Sequence, residues 1–204
     1  MSAIADRQTL DVYSKEAASY ATRDRKERAD GFLDTFIAMM PAGAVVLDLG
    51  CGAGWAASVM QERGFDVHAL DATSEMAALA QTKLKRTVRV ASFESVDDVA
   101  AFDGIWASGA LLHVPKAEMP ALLAKLSRAL KPGGLLLATF KSGEGEARDK
   151  IGRFYSYYAL AELERLFGAV PGLAIEGHLQ STGTDFTGNV NTVYALKARR
   201  NATA

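Results

Sequence analysis

The sequence predicts an α/β fold, a doubly wound and mostly parallel sheet with helices on both faces. Three observations carry that expectation. Short apolar runs alternate with amphipathic segments, a glycine-rich turn follows the first apolar run directly, and the last third holds two consecutive strand-like runs joined by turn residues. With 204 residues and 49% hydrophobic content the chain can bury a substantial core, most simply as one domain over 1–204.

Composition narrows the function classes. Lys and Arg total 23 against 24 Asp and Glu, and no appended basic stripe is present, so a nucleic-acid partner is not expected. Cys51 is the only cysteine and cannot form an internal disulfide. The start "MSAIADRQTL" lacks the apolar stretch of a signal peptide, and no run approaches the length of a membrane span, so a soluble cytoplasmic protein is expected. The three histidines, at 68, 113 and 178, are not spaced as paired ligands, and no metal is expected.

The strands read in order as 44–49, 66–70, 88–92, 103–108 and 135–140, each rich in apolar or β-branched residues and short enough to lie buried on both faces. Between them, "SEMAALAQTKL" reads as a helix with Ser74 as its N-cap. "KAEMPALLAKLSRALKPGG" places Met119, Leu122, Leu123, Leu126 and Leu130 on one stripe. It tolerates Pro120 near its first turn and stops at Pro132-Gly133-Gly134. "LAIEGHLQST" (173–182) and "NTVYALKAR" (191–199) read as an antiparallel hairpin through "GTDFTGN".

Chemistry gathers at "VVLDLGCGAGWA". A strand ends at Leu49, Gly50, Gly52 and Gly54 form the turn, and a helix starts near Trp55. Such a turn lets backbone N–H groups approach a ligand, and the helix N-terminus adds positive potential. A dinucleotide fingerprint counted from Gly50 would need glycine at 55, where Trp55 stands. Asp48 suits a ligand carrying a positive group better than a pyrophosphate. Asp71 ends the second strand, 17 residues beyond Gly54, where a carboxylate can accept hydrogen bonds from ribose hydroxyls. A nucleoside-type cofactor follows.

"VLDLGCGAG", "LDAT" and "LKPGGLLLATF", in this order and spacing, resemble the class I S-adenosylmethionine-dependent methyltransferases. The resemblance implies a Rossmann-like seven-stranded mixed sheet of order 3-2-1-4-5-7-6 with strand 7 antiparallel, which agrees with the hairpin read above. It implies S-adenosylmethionine as cofactor and S-adenosylhomocysteine as product. Its cofactor residues map onto Asp48, Gly50, Cys51, Gly52, Gly54, Asp71, Ala72 and Met76. Ser92 and Phe93 fall where the adenine is held, and this chain lacks the aspartate that many relatives carry there. Trp106 and Ser108 lie in the fourth strand and His113 beyond its exit, where the resemblance implies that donor and acceptor meet.

The N-terminal 1–40 segment is expected to form a helical cap over the cofactor. Tyr13 and Tyr20 lie seven apart on one helical face, Tyr20 beside the methionine part of the donor, with Tyr13 and Arg23 as further candidates. The glycine-broken loop 141–160 is expected to line the acceptor through Lys141, Arg148, Arg153, Tyr155 and Tyr158. His113 and Tyr155 are the catalytic candidates, His113 as a proton acceptor or as a packing residue. The expected function is methyl transfer to an O, N or S of a small molecule. A tRNA methyltransferase, a non-catalytic cofactor-binding protein and an NAD-dependent oxidoreductase are the alternatives, the last disfavoured by the glycine spacing.

Overall fold

The computed structural model describes residues 6–22, 31–184 and 190–202. In chain order the elements are α1 (Arg7–Thr22), α2 (Phe32–Ala38), β1 (Val45–Leu49), α3 (Trp55–Glu62), β2 (Asp66–Asp71), α4 (Ser74–Leu84) and β3 (Arg89–Val90). They continue with β4 (Phe102–Ala107), α5 (Met119–Ala129), β5 (Leu130–Lys141), β6 (Glu146–Arg148), β7 (Phe154–Ser156), α6 (Leu160–Gly168), β8 (Leu173–Thr184) and β9 (Val190–Arg200).

The seven-stranded sheet runs β3-β2-β1-β4-β5-β9-β8. Strands β1 to β5 are mutually parallel, and β9 is antiparallel to both β5 and β8. Counting this sheet alone, the order is 3-2-1-4-5-7-6 with the seventh strand reversed, as the sequence led us to expect. β6 and β7 pair separately as a small antiparallel hairpin.

Alternation along the strands sends side chains to two cores. Leu47 and Leu49 of β1 join Leu136, Ala138 and Phe140 of β5 under α5 and α6. Val46, Leu135 and Leu137 point the other way, toward Phe36, Ala57, Met60 and Ala80 of α2, α3 and α4. Trp106 belongs to this second core. Its ring lies 5.4 Å from that of Phe36 and it is 4% exposed, which removes it from the candidate site.

Three local expectations are corrected. The N-cap of α4 is Thr73, not Ser74, which begins the helix proper. Pro132-Gly133-Gly134 does not follow a long helix. α5 ends at Ala129 and these residues lie in β5, where the register to β4 shifts between Phe102 and Gly104. β3 is exposed at both residues, because it is the sheet edge and has a neighbour on one side only.

Gly104 shows how tightly α2 is seated. A Cβ there would come within 2.6 Å of Met40 Sδ and 2.7 Å of Phe36 Cζ. Gly104→Ala is therefore expected to cost about 1–3 kcal/mol through overpacking, read as a lower urea midpoint with an unchanged slope.

Candidate functional site

The carboxyl ends of β1, β2 and β4 meet at the glycine turn. The N–H groups of Gly50 and Cys51 donate to the Leu70 carbonyl at 2.8 and 3.0 Å, tying the turn to β2. All three glycines have positive φ, at 73°, 53° and 78° for Gly50, Gly52 and Gly54, and their missing side chains serve different ends. A Cβ on Gly50 would stand 2.6 Å from Ala110 Cβ, and one on Gly54 3.0 Å from the backbone of Ala80. These two let the turn pack against the β4 exit and α4. A Cβ on Gly52 would meet nothing within 4 Å, so this glycine faces open space where a ligand could touch backbone.

Asp71 stands beside Gly52 and holds it. Its Oδ2 accepts the Gly52 N–H at 2.8 Å, and its Oδ1 accepts the Thr73 N–H at 2.9 Å and the Thr73 hydroxyl at 2.7 Å. An ionised carboxylate offers roughly four acceptor sites, so grip on two ribose hydroxyls requires one of these contacts to be shared. Asp48 is 2% exposed at the end of β1. Burial, and the nearby carboxylates of Asp48 and Asp71, push the Cys51 thiol well above its ordinary range, so it stays protonated. Ala72 and Ser92 are half-buried, and Phe93 is half-buried with its ring against Gly50. A buried acid, an open glycine backbone and a strand-end carboxylate fit a nucleoside bearing a positive group.

α1 crosses this edge. Ala17 packs with Ala53 of the turn and Met76 of α4, and Tyr13 and Tyr20 lie against the same cluster, their ring centroids 5.4 Å apart. The seven-residue spacing thus puts both phenols on one face, over the glycine turn. On its other side α1 is fastened to the β6–β7 hairpin. Arg148 donates to both carboxylate oxygens of Asp6 at 2.9 and 2.7 Å, and the Phe154 N–H donates to Thr9 Oγ1 at 2.8 Å. Arg148 is therefore a surface tether and not an acceptor-lining residue.

His113 closes the site from the β4 exit. Its Nδ1 lies 2.6 Å from the Phe154 carbonyl, which can only accept, so Nδ1 carries the proton in the neutral ring. Nε2 then accepts the Tyr13 O–H at 2.8 Å. The Tyr155 ring centroid is 4.6 Å away. Burial pushes the His113 pKa down to about 4; the charges of Arg153 and Lys141 act in the same direction, against the Phe154 carbonyl and Asp149. Burial also holds the Tyr13 phenol far above its ordinary range. Both groups are neutral at pH 7.

This shift has a sign that can be measured. The unfolded chain binds the His113 proton near pH 6.5 and the folded chain only near pH 4, so the native state is favoured above 6.5 and loses ground as pH falls. The loss is at most about 2 kcal/mol at pH 5. Urea unfolding at pH 7 and pH 5 should show it, and His113→Gln should flatten that part of the profile.

The remaining candidates separate. Ser108 is half-buried just beyond β4, and the next N–H, of Gly109, donates to Thr139 Oγ1 on β5 at 2.8 Å. Lys141 and Tyr155 are 8% and 3% exposed, with the ammonium 4.3 Å above the ring. Tyr158 is 1% exposed and edge-on to Phe140, a core residue, which corrects its assignment to the acceptor. Arg153 is 2% exposed and paired with Asp149. Arg23 lies outside the described residues. Asp6, Thr9 and Thr139 had no signal in the sequence, because each acts through a partner that only the fold brings near, whereas Asp149 pairs with Arg153 four residues on, a spacing that marked neither as buried.

Comparison with known proteins agrees with this geometry. Residues 46–134, from β1 into the start of β5, match the family model described as a methyltransferase domain. The chain is 33% identical over 118 residues to phosphoethanolamine N-methyltransferase 2 of Caenorhabditis elegans, covering 53% of this chain and 26% of that protein. It is 38% identical over 102 residues to a ubiquinone biosynthesis O-methyltransferase of Xanthomonas oryzae, covering 47% of this chain and 42% of the relative. The match thus spans less than half of either relative's length.

Among solved structures, the 1,6-didemethyltoxoflavin-N1-methyltransferase of Burkholderia thailandensis, with that compound and S-adenosylhomocysteine bound, superposes with a TM-score of 0.76 at 22% identity over 95% of this chain and 88% of that one. The magnesium protoporphyrin IX methyltransferase of Synechocystis, with S-adenosylmethionine bound, gives 0.70 at 19% over 98% and 100%. The sheet order, the glycine turn and the match to a methyltransferase domain over 46–134 agree, and the chain has the fold of, and is similar to, the class I S-adenosylmethionine-dependent methyltransferases.

Proposed function

We propose that this protein transfers a methyl group from S-adenosylmethionine to an O, N or S atom of a small-molecule acceptor. The observation that carries this reading is the open Gly52 backbone beside Asp71, roofed by Tyr13, Tyr20 and Met76. The named relatives act on small molecules, among them the toxoflavin precursor bound in the Burkholderia structure, which supports that acceptor class.

The donor, when bound, supplies an already activated methyl group on a sulfonium. The protein's task is then to position and to exclude water, effects worth up to about 7–11 kcal/mol in model systems. In this reading Asp48, Gly50, Cys51, Gly52, Gly54, Asp71, Ala72 and Met76 form the cofactor side, and Ser92 and Phe93 the adenine side. Of the 1–40 segment, α1 forms the cap, residues 1–5 and 23–30 lying outside the described residues, and 141–160 with Ser108 form the acceptor side. Asp71 accepts hydroxyl protons, Asp48 places negative charge near the cationic group, and α1 closes the cover. His113 receives a proton only through Tyr13, whose phenol occupies its Nε2. Tyr155 supplies a ring face against His113 and Lys141.

The test is methyl transfer from labelled donor to a panel of amines, phenols, carboxylic acids and thiols. His113→Gln should lower kcat by about 10²-fold or more if proton removal limits the step, and Tyr155→Phe should lower it less. Wild-type rates for both variants from pH 6 to 9 would exclude proton transfer by either side chain. Donor binding without transfer to any acceptor would instead favour a cofactor-holding protein.

A further inference from the structure

Among the described residues, Arg153 is the largest side chain fully enclosed, and it is charged. It arrives on a self-contained turn. Asp149 Oδ1 accepts the N–H groups of Ile151 and Arg153 at 3.2 and 2.9 Å, while Oδ2 accepts Nε–H and Nη2–H of Arg153 at 2.8 and 2.7 Å. A buried ion pair of this kind is poor evidence of stabilisation, since apolar residues of similar volume often hold a fold as well or better. Its remaining reach is therefore informative. Nη1 extends to the phenol oxygens of Tyr20 at 3.1 Å and Tyr13 at 3.4 Å, 133 and 140 residues away in sequence.

A guanidinium only donates, so both phenol oxygens must accept on that side. Tyr13 then turns its own proton to His113 Nε2, and His113 turns its Nδ1 proton to the Phe154 carbonyl. Arg153, Tyr13 and His113 thus each donate in one direction along this line. We propose that Arg153, held by Asp149, is a positioning residue that fixes the proton arrangement of Tyr20, Tyr13 and His113 over the methyl-donor end of the site. The proposal rests on the methyltransferase reading of that site. The groups facing His113 are Tyr13 from α1, Lys141 from β5, Asp149 and Arg153 from the turn before β7, and the Phe154 carbonyl and Tyr155 of β7 itself.

Nitrogen NMR of the imidazoles tests it, with His113 identified by its loss in His113→Gln. The variants are Arg153→Lys and the double substitution Asp149→Leu with Arg153→Met, which removes the pair without stranding a buried charge. In the wild type His113 should show one neutral tautomer, protonated at Nδ1, from pH 8 to 5. In the double variant, folded by near-ultraviolet circular dichroism, Nδ1 should keep its proton on the Phe154 carbonyl, the Nε2 resonance should move as the Tyr13 O–H loses its fixed direction, and protonation should begin at higher pH, because the repelling guanidinium outweighs the attracting carboxylate. The Kd for S-adenosylhomocysteine should rise about tenfold, with Arg153→Lys between the two. An unchanged Nε2 resonance and titration in the folded double variant would overturn the proposal and leave the pair a packing element. Failure of the wild type to bind S-adenosylhomocysteine would overturn the functional reading instead, and the Nε2 resonance and titration would still decide the role of Arg153.

Discussion

Gly52→Val is expected to abolish S-adenosylhomocysteine binding while leaving a folded protein. The residue sits at φ 53°, so a branched side chain carries left-handed strain of about 1–2 kcal/mol, but its Cβ meets no protein atom within 4 Å. For a chain of this size that strain is a fall of several degrees in Tm. The new methyl groups instead enter the space that a cofactor would fill. Gly50→Val provides the contrast. Its side chain would collide with Ala110 at once, so stability itself should collapse. Calorimetric titration with thermal melting separates the two outcomes, and normal binding by folded Gly52→Val would place the cofactor elsewhere.

Asp71→Ala is the second large effect. The substitution removes the acceptor of three internal hydrogen bonds, one of which holds the Gly52 N–H in the turn. Hydrogen bonds to charged groups are worth about 1.5–3 kcal/mol each, so the Kd for S-adenosylhomocysteine should rise well beyond tenfold. Tm should fall as well, because the turn loses one of its three ties to β2, the bonds of Gly50 and Cys51 to the Leu70 carbonyl remaining. Asp71→Asn keeps the volume but must present an NH₂ group to one set of donors, so it should weaken binding with a smaller loss of stability. If both variants bind as tightly as the wild type, Asp71 is only a cap for the turn.

The parts of the fold written in local pattern were legible. Runs such as Val45–Leu49 and Phe102–Ala107 carry enough consecutive apolar residues to announce buried strands, and the turn at Gly50, Gly52 and Gly54 follows from its setting between strand and helix. Asp71 could be placed because the second strand's end is fixed by the first. The β6–β7 hairpin escaped notice. Its strands are three residues each, too short for alternation to register, and Glu146–Arg148 is charged and exposed.

Burial of charge was illegible for a related reason. Arg153 in "GRFYSYY" looks like a loop cation with Asp149 four residues before it, and only the fold adds the two phenols from α1 that accompany its enclosure. Tyr158, by the same token, looked available for a ligand and proved to be wedged against Phe140. The β5 boundary at Leu130 was hidden because Pro132-Gly133-Gly134 reads as a stop, yet the sheet accepts it through a register shift beside β4.

The central claim is that the carboxyl edge around Gly52 and Asp71 binds the methyl donor and not a nicotinamide dinucleotide. Isothermal titration of the wild-type protein with S-adenosylhomocysteine and, separately, with NAD tests it most directly. The account expects saturable one-to-one binding of S-adenosylhomocysteine, lost in Gly52→Val, and no heat above dilution for NAD. Saturable binding of NAD with none for S-adenosylhomocysteine would contradict it.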